Sequence, residues 1–267
     1  MRIFISDLHL GDGTRTDDFH RDKEFLGFLD FVEKEAKELI IAGDLFELWQ
    51  ASLDKILFKH KEVVKRLLGL KKKIKLTYLV GNHDYIPFTA FLDKESGLDL
   101  EYSDKEKGII AEHGHRYDIF NRYQNPLQAL RWPKGKYFSL FLASLERLIY
   151  RDVDVWMKKA LIKVDDFLQQ AALIKNKVTP SSPAYLKRGG HFGEFAQAVE
   201  AHLTRGYKIV IFGHTHQAQL QVIEKGIYAN CGAWTDAVTP TYIAYTPEKI
   251  SLCSGLSHQT IKEIRLS

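Results

Sequence analysis

The chain is 267 residues long, 45% hydrophobic and 27% charged, with a formal net charge of +4. That length permits one large domain or a core carrying an insertion, and the composition excludes a disordered or fibrous chain. No run of 18 apolar residues occurs, so no transmembrane helix is expected, and Cys231 and Cys253 lack metal-binding or redox spacing.

The chain enters an apolar segment at Arg2-Ile3-Phe4-Ile5, with no basic n-region or apolar h-region, so no signal peptide is expected. A reduced, cytoplasmic protein is the simpler expectation. Residues 3–6 read as a buried strand. Residues 25–37 carry Phe25, Phe28, Leu29 and Val32 at helical spacing and read as a helix. Residues 39–42 form the next expected strand and end at Gly43-Asp44. Residues 59–70 read as a helix, residues 76–80 as a strand ending at Gly81-Asn82, and residues 109–111 as a strand leading into His113. Residues 121–205 break this rhythm: 138–150 and 153–173 read as helices, 179–183 as a linker, and 192–203 as a returning helix. Residues 208–212 read as a strand that stops at Gly213-His214. Residues 228–230, 242–245, 249–253 and 260–265 look like short strands without intervening helices, expected to finish a second sheet in antiparallel fashion. The pattern predicts an α/β core over 1–120 and 206–267, with a helical insertion over 121–205 lying across the site.

Charge is uneven. Residues 121–190 hold 13 Lys/Arg against 5 Asp/Glu, while the remainder holds 25 against 29. A basic segment attached to an acidic core suits an anionic substrate or an anionic membrane surface. A solvated basic helical face is the alternative.

Five blocks follow the apolar runs: Asp7-Leu8-His9, Gly43-Asp44, Gly81-Asn82-His83-Asp84, His113-Gly114-His115 and Gly213-His214-Thr215-His216. In open α/β sheets functional groups gather at the carboxyl ends of strands. On extended backbone, residues two apart point the same way, so Asp7 and His9 can face one ion together. The set mixes carboxylate, imidazole and amide oxygen without thiolate, which suits Mn²⁺, with Fe or Zn²⁺ as alternatives. Two such ions about 3.5–4 Å apart can activate a water and clamp phosphoryl oxygens. The glycines beside these residues are expected to let the backbone turn sharply.

These blocks resemble the calcineurin-like metallophosphoesterase family, whose pattern is D-x-H, G-D, G-N-H-[D/E], H and G-H-x-H. All five occur in the family's order. The resemblance implies a two-sheet αββα sandwich and two divalent metal ions. It implies that Asp7, His9 and His216 hold one ion, that Asn82, His113 and His214 hold the other, and that Asp44 bridges them. It makes His83 the catalytic histidine beside the scissile phosphate, and it puts Glu47 where several members keep a carboxylate that orients this histidine. Asp84 is expected to brace its turn. Asp12, Asp17 and Asp18 read as a solvated loop. His20, His60, His191, His202 and His258 lie outside the blocks and read as structural or exposed. Asn230-Cys231-Gly232-Ala233-Trp234 reads as a strand-turn with a packed Trp.

Within the family, a helical insertion before G-H-x-H, together with Gly43-Asp44-Leu45-Phe46-Glu47-Leu48-Trp49, resembles the UDP-2,3-diacylglucosamine hydrolases. That implies a lipid-linked nucleotide diphosphate as substrate, peripheral contact with the inner membrane, and His115, Arg116, Arg122 and Arg131 as substrate-binding residues. Two departures stand beside it. Those enzymes typically have Arg where this chain has His83, and HGD where it has His113-Gly114-His115. A phosphodiesterase or phosphatase acting on a soluble phosphoester is the alternative. A nuclease or a non-catalytic scaffold is less favoured, and nucleic acid is not the expected partner. The sequence leaves the oligomeric state open.

Overall fold

The structure, a computed structural model, describes residues 1–15, 17–84, 101–117 and 190–266. Near-continuous apolar runs pair into two sheets. The first has the order β11-β10-β9-β1-β2-β3, and the second β4-β5-β6-β8-β7. In the first sheet, β1 (Arg2–Ile5), β2 (Glu38–Ala42) and β3 (Lys75–Leu79) run parallel. Next to β1, β9 (Thr241–Thr246) pairs antiparallel, followed by β10 (Lys249–Ser254) and β11 (Thr260–Arg265). The second sheet contains β4 (Glu101–Asp104), β5 (Ile109–Glu112), β6 (Ile209–Phe212), β7 (Gln219–Ile223) and β8 (Gly226–Asn230).

The side-chain period of two divides the strand residues between two cores. Ile3 and Ile5 of β1, with Leu39 and Ile41 of β2, pack with the helices. Phe4, Ile40 and Ala42 face the other way, toward Ile109, Ala111, Ile209 and Ile211 of the second sheet. Both faces of β1 and β2 are therefore buried, which explains their lack of polar alternation. Helix α1 (Asp22–Glu35) meets the first core with Phe25, Phe28, Leu29 and Val32. Its first turn carries Asp22 and Glu24 and its last turn Lys34, in the sense that favours the helix dipole. Ala36 takes extended backbone, which ends the helix two residues before the expected limit.

The helix expected over 59–70 is α3 (Lys61–Leu70), and a further helix not expected from the sequence, α2 (Leu53–Lys59), precedes it, the two broken at His60. The His60 side chain is fully buried, with Nδ1 2.7 Å from Asp22 Oδ1 and Nε2 3.8 Å from Asp17 Oδ2. Asp17 is likewise buried, accepting backbone N–H groups of Gly13 at 2.7 Å and Phe19 at 2.9 Å. The expectation of a solvated loop therefore fails at Asp17, whose carboxylate organises the loop from within. The tail strands also depart from expectation. Strands β9 to β11 extend the first sheet through β1, and β8 joins the second sheet parallel to β6. Alternation identifies a strand but not its neighbour. Helix α4 (Gly190–Thr204) leads toward β6. The remaining elements expected between 121 and 189 lie outside the described residues.

Burial opposes charge on His60, but Asp17 and Asp22 raise its pKa to about 9. A raised folded-state pKa contributes stability that is full below about pH 6.5 and lost as pH rises through about 9. His60→Gln should cost on the order of 1.5–3 kcal/mol at pH 6, the scale of hydrogen bonds to a charged partner. Denaturant midpoints measured from pH 6 to 10 should converge for the two proteins, and a pH-independent gap would reject the charged pair.

Candidate metal centre

The strands of the two parallel runs end on one side, and the chemistry begins just beyond them. Asp7 and Asp44 stand two residues past β1 and β2, Asn82 three past β3, His113 one past β5 and His214 two past β6. The chain turns sharply there. Among the described residues, six non-glycine residues have positive φ, and five of them are Asp7, His9, Asp44, His214 and His216. Left-handed backbone of this kind costs on the order of 1–3 kcal/mol per residue and persists only where its surroundings impose it. Gly43, at φ 89°, is required twice over, because an added Cβ would lie 2.6 Å from the His113 ring. Gly81 needs no left-handed backbone, and its constraint is close approach: a Cβ would lie 2.1 Å from Asp44 Oδ1.

These turns bring three overlapping groups of ligand atoms together, each within 4.8 Å: Asp7, His9 and His216; His9, Asp44 and His83; and Asp44, His113 and His214. Asp44 belongs to two of them. Its Oδ2 lies 2.9 Å from His113 Nε2, and its Oδ1 accepts the His83 N–H at 2.8 Å. Asp7 Oδ2 accepts the His214 N–H at 2.9 Å. Asp7 Oδ1 is buried without a hydrogen-bond donor, and the nearby His216 Nε2 is at 3.2 Å. Asn82 Oδ1 is 3.1 Å from His113 Nε2. The Nε2 atoms of His9 and His216 face each other at 3.2 Å.

Neighbours decide which ring nitrogen points inward. His113 Nδ1 donates to the Ala42 carbonyl at 2.9 Å, and His9 Nδ1 donates to Glu47 Oε2 at 2.8 Å. Each leaves Nε2 aimed into the centre, the arrangement that outer hydrogen bonds give to metal-binding histidines. His83 uses the same Glu47 oxygen, through Nδ1 at 2.7 Å.

The electrostatics fit a cation. Burial opposes ionisation of Asp7, yet His113 and His216 hold its carboxyl well below the usual range. Burial likewise opposes ionisation of Asp44, and His113 and His83 hold it well below that range. Glu47 is held at about 2 against burial by His83 and His9. Burial opposes charge on His113, while Asp44 and Asp7 push it up to about 9. Buried carboxylates thus draw positive charge from the imidazoles, and divalent ions held by the same oxygen and nitrogen atoms would supply it directly. The donor set of carboxylate, imidazole and amide suits divalent transition metals.

Asp84 lies behind the centre, fully buried, and accepts the N–H groups of Leu45 at 3.1 Å and Phe46 at 2.8 Å. Burial and the charge of Asp44 push its carboxyl up to about 6. It braces the turn, as expected. The Asn230 to Trp234 segment is also scaffold: Trp234 is buried against Phe25 and Phe28, and its backbone N–H donates to the Asp7 carbonyl at 2.9 Å. His20, His202 and His258 are structural, as expected. His20 pairs with Asp236 at 2.6 Å, His202 with Glu112 at 3.0 Å, and His258 stacks on Phe31. His115 and Arg116 begin a short 3-10 turn, half-buried and exposed respectively. Arg122 and Arg131 lie outside the described residues, as does the side chain of His191. Trp49 was not singled out from the sequence, although it closes the Gly43 to Trp49 block. Its indole stacks on His83, with ring centroids 3.8 Å apart.

The profile of the calcineurin-like phosphoesterase family matches residues 2–218. The UDP-2,3-diacylglucosamine hydrolase of Blochmanniella pennsylvanica is 32% identical over 135 residues, 45% of this chain and 52% of that protein. The protein of the same name from Psychromonas ingrahamii is 24% identical over 265 residues, 94% of this chain and 95% of that protein. Where identity is 32% or more, the chain spans from 32% to 59% of the relatives' length. Among solved structures, the Escherichia coli phosphoesterase YfcE aligns with 100% of this chain and 99% of its own, at a TM-score of 0.49 and 12% identity. With the family profile matching residues 2–218 and every block of the pattern in place, the chain belongs to the calcineurin-like phosphoesterase family.

Proposed function

We propose that this protein is a dinuclear metal-dependent hydrolase of a phosphoester or diphosphate bond. The observation that carries the reading is the convergence of Asp7, His9, Asn82, His113, His214 and His216 around Asp44, at the strand ends. When bound, two divalent ions, Mn²⁺ first and Fe or Zn²⁺ as alternatives, would activate water and polarise the phosphoryl oxygens. Asp7, His9 and His216 would hold one ion, Asn82, His113 and His214 would hold the other, and Asp44 would serve both. His83 keeps Nδ1 on Glu47, which leaves Nε2 to donate a proton to the leaving oxygen or stabilise charge on the phosphate.

The favoured substrate is a nucleotide-lipid diphosphate of the UDP-2,3-diacylglucosamine type. The names of the relatives support it, as does the basic balance of residues 121–190. In this reading 121–205 is the helical insertion over the core of 1–120 and 206–267, and His115, Arg116, Arg122 and Arg131 meet the phosphates. His83 favours the second reading, a phosphodiesterase or phosphatase with a soluble substrate, because imidazole is the general state of the family. The lipid reading places the protein in the cytoplasm, at the inner membrane surface. No helix among the described residues is long and apolar enough to cross a membrane. A peripheral contact draws support from Phe58, 81% exposed on α2 among the exposed Lys55, Lys59 and Lys61.

Purified full-length protein with Mn²⁺ should hydrolyse bis-p-nitrophenyl phosphate and UDP-2,3-diacylglucosamine, the latter releasing UMP. Turnover of neither compound, nor of p-nitrophenyl phosphate, sinks the reading, and turnover of the chromogenic esters alone selects the soluble substrate. Asp44→Asn should lower metal content, measured by elemental analysis, together with activity. His83→Ala should keep much of the metal and lose at least about 10²-fold in kcat, the scale of one positioned acid–base group. Phe58→Ala should reduce co-sedimentation with phosphatidylglycerol vesicles, and unchanged binding removes α2 from the contact.

A further inference from the structure

We propose that Trp49 is a positioning residue for His83, fixing the plane of its imidazole and anchoring the peptide that carries Asn82 and His83. The inference rests on the phosphoesterase reading and adds a residue to it. Three contacts meet at this residue, two through the side chain and one through the backbone. The indole lies on the imidazole, with centroids 3.8 Å apart and planes 19° from parallel. Its Nε1–H donates to the Asn82 carbonyl at 2.9 Å. Its backbone N–H donates to Glu47 Oε1 at 3.2 Å, on the carboxylate whose other oxygen holds His83 Nδ1 at 2.7 Å.

A single hydrogen bond at Nδ1 leaves an imidazole free to swing about that bond. A flat indole against one face removes the swing, while the His9 ring stands at 83° to His83, 4.6 Å away. The other ring nitrogen, Nε2, is thereby aimed by two restraints at right angles: Glu47 in the ring plane and Trp49 on the ring face. The bond to the Asn82 carbonyl extends the same control to the neighbouring residue, whose Oδ1 lies 3.1 Å from His113 Nε2. Small errors of aim are costly in a site of this kind, because a misplacement of about 1 Å can lower rate about 10²-fold. The competing role for Trp49 is an apolar wall that only touches substrate. It predicts an effect on KM that does not depend on His83.

The test uses the full chain with Trp49→Leu, Trp49→Phe, His83→Ala and the double variant His83→Ala/Trp49→Leu. Trp49→Leu should lower kcat about 10- to 10²-fold while KM moves less than about threefold, the mark of an interaction lost in the transition state. Trp49→Phe keeps a ring on the imidazole and should recover most of that loss. In the His83→Ala background, Trp49→Leu should lower kcat much less than in the wild type, leaving only the part carried by the bond to the Asn82 carbonyl. In metal-free protein, NMR should show the His83 ring C–H signals displaced upfield by the indole, and returned toward ordinary histidine positions in Trp49→Leu. Unchanged kcat in Trp49→Leu, a loss confined to KM, or an equal loss with and without His83 overturns the proposal. Inactive wild-type protein instead sinks the phosphoesterase reading, and a fully active His83→Ala removes the catalytic role of His83. The histidine shifts then still decide whether Trp49 holds the ring, and undisplaced signals overturn that contact.

Discussion

Two carboxylates with almost no access to water, Asp7 and Asp44, set the terms for one end of this protein. Isolated buried charges of this kind are costly, and the surrounding structure is arranged to offset them. Main-chain N–H groups of His83 and His214 and the imidazoles of His113 and His216 converge on these two side chains. The arrangement leaves an excess of acceptor atoms pointing into a small volume. That excess makes the centre suited to divalent cations rather than merely to internal ion pairing.

The same requirement explains the backbone. Five residues of the centre sit in left-handed conformation, which L side chains rarely adopt. They are held by ties between loops: Asp7 N–H to the Gly43 carbonyl, His9 N–H to the Asp44 carbonyl, and Glu47 N–H to the Leu10 carbonyl. Asp84 completes the lattice from below by accepting the N–H groups of Leu45 and Phe46. Behind the loops stand two cores, one on each face of the first sheet, so rigid strands rather than mobile segments set the distances.

Glu47 links two functions through one carboxylate. Its Oε2 receives Nδ1 of both His9 and His83, which turns the Nε2 of His9 toward His216 and the Nε2 of His83 away from Glu47. A candidate ligand and the candidate acid–base group therefore share an orienting partner. A shift of Glu47 would disturb both.

Much of the centre was legible in the chain because its chemistry is written at strand ends, where apolar runs stop at Gly-Asp, Gly-Asn-His or Gly-His. The strands β1, β2, β3, β5 and β6 were legible for the same reason, since buried parallel strands read as unbroken apolar runs. Less was visible where tertiary contact decides. Strand β4 has one buried residue, Tyr102, and β7 only Leu220, so neither edge strand carries a periodic signal. The break at His60 depends on Asp17 and Asp22, tens of residues away in the chain. The sequence by itself determined the types of candidate ligand, their order and their place after apolar runs, because these are local properties of composition and spacing. Tertiary structure alone decided which sheet the tail strands join, which imidazole nitrogen faces inward, and that Trp49 lies on His83. Each of those depends on a partner brought close only by the packing of the two sheets and their loops.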